Sequence, residues 1–535
     1  MRTTTRRAVL GAGIAAAGSG LLAACSKGTG DGPSASPSGA PAGFVSPDGR
    51  EVAAAEARRG TGPVRQVRLT ATPARLDLGG GRTVASWAYG DALPGREVRV
   101  TAGDTLALTL ANHLPVPTSV HWHGLALRND MDGVPGLTQR PVAAGASHDY
   151  RFAVTHPGTY WLHPHSGTQQ DRGLYAPLIV EDPKEPLSYD KEWVVVLDDW
   201  VDGVDGSTPD AVLAELAKGM DMGGMDHGGG NSGGGMSHGG GGHDMSHMSM
   251  TTASSPSPTG PPRMLMGATS DVLGGDAGDV AYPYYLVNGR TPENPETFTA
   301  KPGDRVRIRL INAGGDTAFR VALGDHRMTV THTDGFPVEH MQTDALLLGM
   351  GERYDVLVEV KDGVFPLTAL AEGKKRTALA LLRTGGGSAP GADVRPRELE
   401  NAPLTADRLK AAGGVALKER RPDRTLTLKL TGSMAKYDWA INGRTYSPSY
   451  RHPVAAGERV RLAFVNATTM WHPMHLHGHT FALPGGGARK DTAIVLPGKR
   501  LEVDFDADNP GLWMIHCHNV YHAESGMMAV LGYRA

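Results

Sequence analysis

Gly103-Asp104-Thr105-Leu106-Ala107-Leu108-Thr109-Leu110-Ala111-Asn112 reads as a strand: leucines at every second position, between a turn-forming Gly-Asp pair and an asparagine. The same frame returns at Gly303-Asp304 to Asn312 through Val306, Ile308 and Leu310, and at Gly457-Glu458 to Asn466 through Val460, Leu462 and Phe464. Three strands of one design, spread over 535 residues, imply three related domains. Short alternating runs rich in Gly, Pro, Val and Thr, with only 6% aromatic residues, fit β-sandwiches. Long amphipathic helices are scarce; one short helix is expected from Asp210 to Lys218.

Counting onward from each asparagine separates the repeats. His121 and His123 stand nine and eleven residues after Asn112, and His475 and His477 keep the same offsets from Asn466. The corresponding residues after Asn312 are Val321 and Leu323, which cannot bind a metal. The first and third domains therefore carry metal ligands, and the middle one reads as a spacer. A second ligand strand repeats as well: Gly158 precedes His163 by five residues, as Gly511 precedes His516.

The densest run is His516-Cys517-His518, followed by His522 and Met527. Two imidazoles, a thiolate and a distant thioether suit a trigonal copper electron-transfer site better than zinc or iron. On a strand, Cys517 points to one face and His516 and His518 to the other, so one strand joins two metal sites. With His121, His123, His163, His165, His472, His475, His477 and His522, the chain offers ten histidines and one cysteine in ligand spacing. Any single pair could be two core histidines; four groups in concert are not. Where the third domain has Cys517 between its histidines, the first has Pro164, so the thiolate site exists once, and the eight remaining paired histidines meet between domains one and three.

These motifs, in this order, resemble the three-domain multicopper oxidases: laccases, ascorbate oxidase and bacterial cuprous oxidases. The resemblance covers nearly everything after residue 44 and implies an all-β chain of three cupredoxin-like Greek-key β-sandwich domains. It implies an oxidase that passes single electrons from a donor to O2, with four copper ions as cofactors. By position, His472, Cys517, His522 and Met527 would hold the type 1 copper, and His121 and His475 the type 2 copper. Of the two type 3 coppers, one would take His123, His163 and His477, the other His165, His516 and His518. Asp132, in the Met131-Asp132-Gly133 turn, stands where bacterial relatives have a proton-relay or supporting aspartate, although a turn aspartate has a structural use of its own. The glutamate that some relatives have directly after the last type 1 histidine is replaced by Ala523, with Glu524 next. Met470, two residues before His472, matches a substrate-copper ligand of a cuprous oxidase, but Thr468 replaces that site's acidic partner. Copper nitrite reductase is excluded because it does not need the second histidine of each pair.

Composition sets further bounds. A net charge of −3 argues against a nucleic-acid partner. Thr5-Arg6-Arg7 before an apolar stretch resembles a twin-arginine export signal, and Leu22-Ala23-Ala24-Cys25 resembles a lipobox. The implied organisation is a signal peptide at 1–25, a tether at 26–43, domains at 44–183 and 184–390, a linker at 391–420 and a third domain at 421–535. A lipid on Cys25 would anchor the protein to the outer face of the cytoplasmic membrane. Residues 219–250 carry seven methionines and four histidines among glycines, soft and borderline ligands that a plain linker does not need. They point to Cu(I) as donor, with phenols and aromatic amines secondary; a general laccase for phenolic donors and a copper-storing lipoprotein are the alternatives.

Overall fold

The alternating runs pair into two main sheets for each third of the chain, with a further two-stranded pair, Thr269–Ser270 and Gly275–Asp276, in the middle third. The computed structural model describes residues 43–219 and 260–535. The twin-arginine run, Cys25 and all of the methionine-rich segment except Gly219 lie outside the described residues. Between Val64 and Glu181, two four-stranded sheets form the first sandwich. A six- and a five-stranded sheet within Lys191–Arg383 form the second, and another six-five pair within Arg424–Tyr533 forms the third. Among the described residues no helix is long and apolar enough to cross a membrane.

The repeat strand has the same neighbours in each sandwich. Thr105–Asn112, Arg305–Asn312 and Arg459–Asn466 each run parallel to the strand that opens their domain and antiparallel to a later strand. A parallel pair needs a crossover rather than a hairpin, which is the signature of Greek-key wiring here. The apolar faces are closed: Leu106, Val306 and Val460, at matching positions, have no solvent exposure. Each such side chain is worth about 1.5–3 kcal/mol on burial.

The repeated asparagine has a physical reason. Asn112 donates to the carbonyls of Val116 and Val142, Asn312 to those of Thr317 and Leu348, and Asn466 to those of Met470 and Val495. The Oδ1 atom accepts from the N–H of Leu114, Gly314 and Thr468 in turn. One buried amide thus ties down the loop after each strand, and no other side chain of that size offers two donors and an acceptor. In the first and third domains that loop leads directly to the histidine pair.

The helix expected at 210–218 is found at Pro209–Leu216, capped by the Thr208 hydroxyl on the Ala211 N–H. A second helix, Arg50–Arg59, had no clear signal because it buries only Val52 and Ala55.

Candidate metal centre

Strand register brings the histidines together. His121 lies opposite His163, and His475 opposite His516, while Met474 lies opposite Cys517. The two ligand sheets then face each other. The His121 ring stacks on His477 at 3.8 Å between centroids, and His123 on His475 at 3.8 Å, one partner from each domain. All eight cluster histidines fall within this one constellation, at the interface of the first and third sandwiches. Burial and mutual repulsion push the imidazoles of His163, His165, His477, His516 and His518 well below their ordinary pKa, so they stand neutral, as metal ligands must.

The hydrogen bonds show what these rings await. His477 donates Nδ1–H to Asp132 Oδ2 at 2.9 Å, and His516 donates Nδ1–H to the Cys517 carbonyl at 2.8 Å. Both Nε2 atoms are left as lone pairs, yet they face each other at 3.1 Å. The Nε2 of His121, His163 and His475, Nδ1 of His123 and both nitrogens of His518 are likewise buried without a protein partner. Lone pairs converge like this only toward a cation.

The geometry corrects the expected division of the type 3 ligands. His477 groups with His165 and His516, because Asp132 turns its free nitrogen toward His516. His518 lies instead against His123 and His163, at 4.9 and 5.3 Å between centroids. The sequence pairing had exchanged His477 and His518.

The second site repeats the signature. Cys517 Sγ lies 3.6 Å from Nδ1 of both His472 and His522, and those two nitrogens are 3.1 Å apart. Thr468 Oγ1 sends its proton toward Asn466 and the Met470 carbonyl, and so accepts from His472 Nε2 at 2.8 Å. His522 Nε2 donates to Asp279 Oδ2 at 3.0 Å, and that carboxylate also accepts from the Tyr437 hydroxyl. Both Nδ1 lone pairs and the thiol therefore converge on one point. Met527 is fully buried beside them, its backbone bonded to both Cys517 and His522. Trp439 packs at 4.4 Å over His522 and 5.4 Å over His472.

The Asp132 carboxylate meets His477 and, at 3.3 Å, His121. Glu524 lines both a water-sized cavity of about 30 Å³ shared with His163, His165 and His516 and an outer cleft of about 540 Å³; burial raises its carboxyl to about 7. Met470 is only 1% exposed and packs into the core beside His472. Sequence reading missed Asp491, Asp279, Thr468 as a ring partner, and Arg353. Asp491 Oδ1 accepts from His123 Nε2 at 3.0 Å, and its carbonyl from His475 Nδ1 at 2.9 Å. Burial would raise the Asp491 carboxyl, but the Arg353 guanidinium holds it well below the usual range.

Family profiles described as multicopper oxidase match residues 70–185, 191–387 and 419–534. The chain is 47% identical to the multicopper oxidase MmcO of Mycobacterium tuberculosis, over 99% of this chain and 97% of that one. It is 30% identical to a copper resistance protein A homologue of Pseudomonas syringae, over 86% and 90%. The crystal structure of a multicopper oxidase from Pseudomonas thermotolerans superimposes with a TM-score of 0.64 at 27% identity, covering 88% of this chain and 99% of that one.

Proposed function

Since the chain belongs to the multicopper oxidases, oxidoreductases that use O2 as acceptor and copper as cofactor, we propose that it oxidises Cu(I) in copper tolerance, with phenols and aromatic amines as secondary donors. We assign four coppers: one to His472, Cys517, His522 and Met527, one to His121 and His475, and a pair to His123, His163, His518 and to His165, His477, His516. Bound there, copper supplies one-electron oxidation of the donor and four-electron reduction of O2 to two waters.

The protein's own part is positioning. Cys517 is joined through the backbone to both His516 and His518, giving a covalent route between the sites. Asp132 and the Cys517 carbonyl fix the tautomers of His477 and His516, leaving the correct nitrogen free. Glu524, set between the outer cleft and the cluster cavity, is placed to hand protons inward.

One observation carries the choice of donor. The methionine- and histidine-rich segment leaves the described fold at Gly219, packed on the backbone of Ala435 and Lys436. Tyr437 follows, bonded through Asp279 to His522, so the segment is rooted beside the electron entry. Soft thioethers there would collect Cu(I). The relatives named copper resistance proteins are consistent with that role. A lipid on Cys25, after twin-arginine export, would hold the enzyme on the outer face of the cytoplasmic membrane.

The test is O2 uptake by copper-loaded protein given Cu(I) or 2,6-dimethoxyphenol, for the full chain and for a chain lacking residues 219–250. Cu(I)-dependent uptake that falls on deletion while phenol turnover persists supports the reading. Uptake with phenol alone makes the enzyme a general laccase; more than four coppers with little uptake makes it a store.

A further inference from the structure

We infer that the ligand-free middle domain is a working part of the cluster: its Gly349–Arg353 loop positions the histidines, with Arg353 acting through Asp491. The inference rests on the ligand assignment above.

Arg353 and Asp491 are both fully buried. Arg353 Nη1 donates to Asp491 Oδ1 at 2.7 Å and Nη2 to Oδ2 at 2.6 Å, a two-point grip that fixes the carboxylate plane. Two further donors are used, Nε on the Thr159 carbonyl of the first domain and Nη1 on the Gly351 carbonyl of its own loop. The Asp491 carboxylate, so held, receives His123 of the first domain, while the backbone carbonyl of the same residue receives His475 of the third. One guanidinium thus sets the His123 ring, which stacks on His475 across the domain boundary.

Two glycines show that the loop fits against the cluster. Gly351 has φ +84, and a Cβ there would lie 2.9 Å from His518 Cδ2 and 3.0 Å from His123 Cε1. Gly124, which follows His123 with φ +89, would place a Cβ 2.6 Å from Asp491 Oδ2. Neither position accepts a side chain, because the loop and the ion pair fill the space.

The internal repeat sets this apart from generic interface packing. Ser147, Arg353 and Arg500 occupy one repeat position, each opposite the residue before the repeat asparagine. Ser147 is exposed, and Arg500 is exposed and paired with Glu502. Only in the domain without ligands is this position buried, and there it meets the cluster.

Full-length copper-loaded protein carrying Arg353→Met, Arg353→Lys or Arg500→Met should be dialysed against a chelator, reading copper per chain, the blue thiolate band and the type 2 resonance. Arg353→Met is expected to lose cluster copper about 10- to 100-fold more readily than wild type, with the blue band intact. Arg353→Lys should lie between the two, with a shifted type 2 resonance, and keeps the question open to measurement if Arg353→Met does not accumulate. Arg500→Met should match wild type. Wild-type retention and resonance in both Arg353 variants would overturn the inference, as would parallel loss of blue and cluster copper with a lowered apo-protein Tm, which marks a purely structural tie. Wild-type protein that binds only the blue copper would instead overturn the ligand assignment.

Discussion

Asp132 and Asp491 sit on opposite sides of the same cluster and are built alike. Each carbonyl accepts Nδ1–H of a histidine from its own domain, His121 or His475. Each carboxylate accepts from a histidine of the other domain, His477 or His123. Their surroundings differ. The Asp491 carboxylate is gripped by Arg353 and by the Thr492 hydroxyl, whereas Asp132 has only imidazoles as ion-pair partners among the described residues, and its Oδ1 has no hydrogen bond. Duplication supplied two equivalent carboxylates. The third copy of the repeat made one of them a fixed counter-charge and left the other free for chemistry.

Exchanging each carboxylate for its amide tests that division most severely. Asp491→Asn strips the hydrogen-bonded anion from a fully buried arginine and leaves it only Asp334 at 3.5 Å, which should cost about 3 kcal/mol, the low end for a broken buried pair. Denaturant unfolding of the apo protein should show it, and a loss below about 1 kcal/mol would contradict the picture of a fixed pair. Asp132→Asn leaves no buried cation exposed to that penalty. Its turnover should fall about 10- to 100-fold as His477 loses its orienting acceptor, while stability drops by no more than about 1–3 kcal/mol. If the two amides behave identically, the two sides of the cluster are equivalent after all.

A control separates the cluster from buried ion pairs in general. Asp355, two residues beyond Arg353 on the same strand, meets Arg307 and Arg309 and accepts from Thr159 of the first domain. Asp355→Asn should cost about 1.5–3 kcal/mol, since Arg307 keeps Glu185 and Arg309 keeps Glu192. Copper content and type 2 resonance should not move. Burial would raise the Asp355 carboxyl, but the two arginines hold it well below the usual carboxylate range. A depressed folded pKa adds stability above the unfolded value. The difference between wild type and Asp355→Asn should therefore be constant near neutrality and shrink as pH falls below about 4. A difference that grows on acidification would reverse the sign and refute the pairing.

The asymmetry also explains what could be read in advance. The strand frame, its asparagine and the histidine pairs recur, so the three sandwiches and the ligand set stand out along the chain. Asp132 was visible because, eleven residues after His121, it matches the position of a proton-relay or supporting aspartate in the bacterial oxidases that the sequence resembles. Asp491 lies sixteen residues after His475, beyond a hairpin whose length the other copies do not share. Arg353 aligns with an exposed serine and an exposed arginine, so alternation marks it as a surface residue, and only the meeting of three domains buries it. The Gly351-Glu352-Arg353 and Gly498-Lys499-Arg500 runs were the available signal, but nothing local tells which of the two arginines faces water. The exchange of His477 and His518 had the same origin: order along the chain does not reveal which way a hydrogen-bonded ring is turned.

The smallest change sharpens the comparison most, because it touches the fixed side without moving a charge. Thr492 Oγ1 donates to Asp491 Oδ1 at 2.9 Å and lies 3.1 Å from His475 Nδ1 and 3.2 Å from His123 Nε2. Thr492→Val keeps the shape and deletes only the hydroxyl, so about 0.5–1.5 kcal/mol should be lost. If Arg353 is what orients Asp491, its two bonds remain and chelator resistance of the cluster should stay within about threefold of wild type, under half the change in log affinity that loss of an outer partner typically brings. Loss of copper as large as that from Arg353→Met would shift the orienting role from the middle domain to the hydroxyl next door. The third domain would then hold its own aspartate, and the two sides of the cluster would differ in degree rather than in kind.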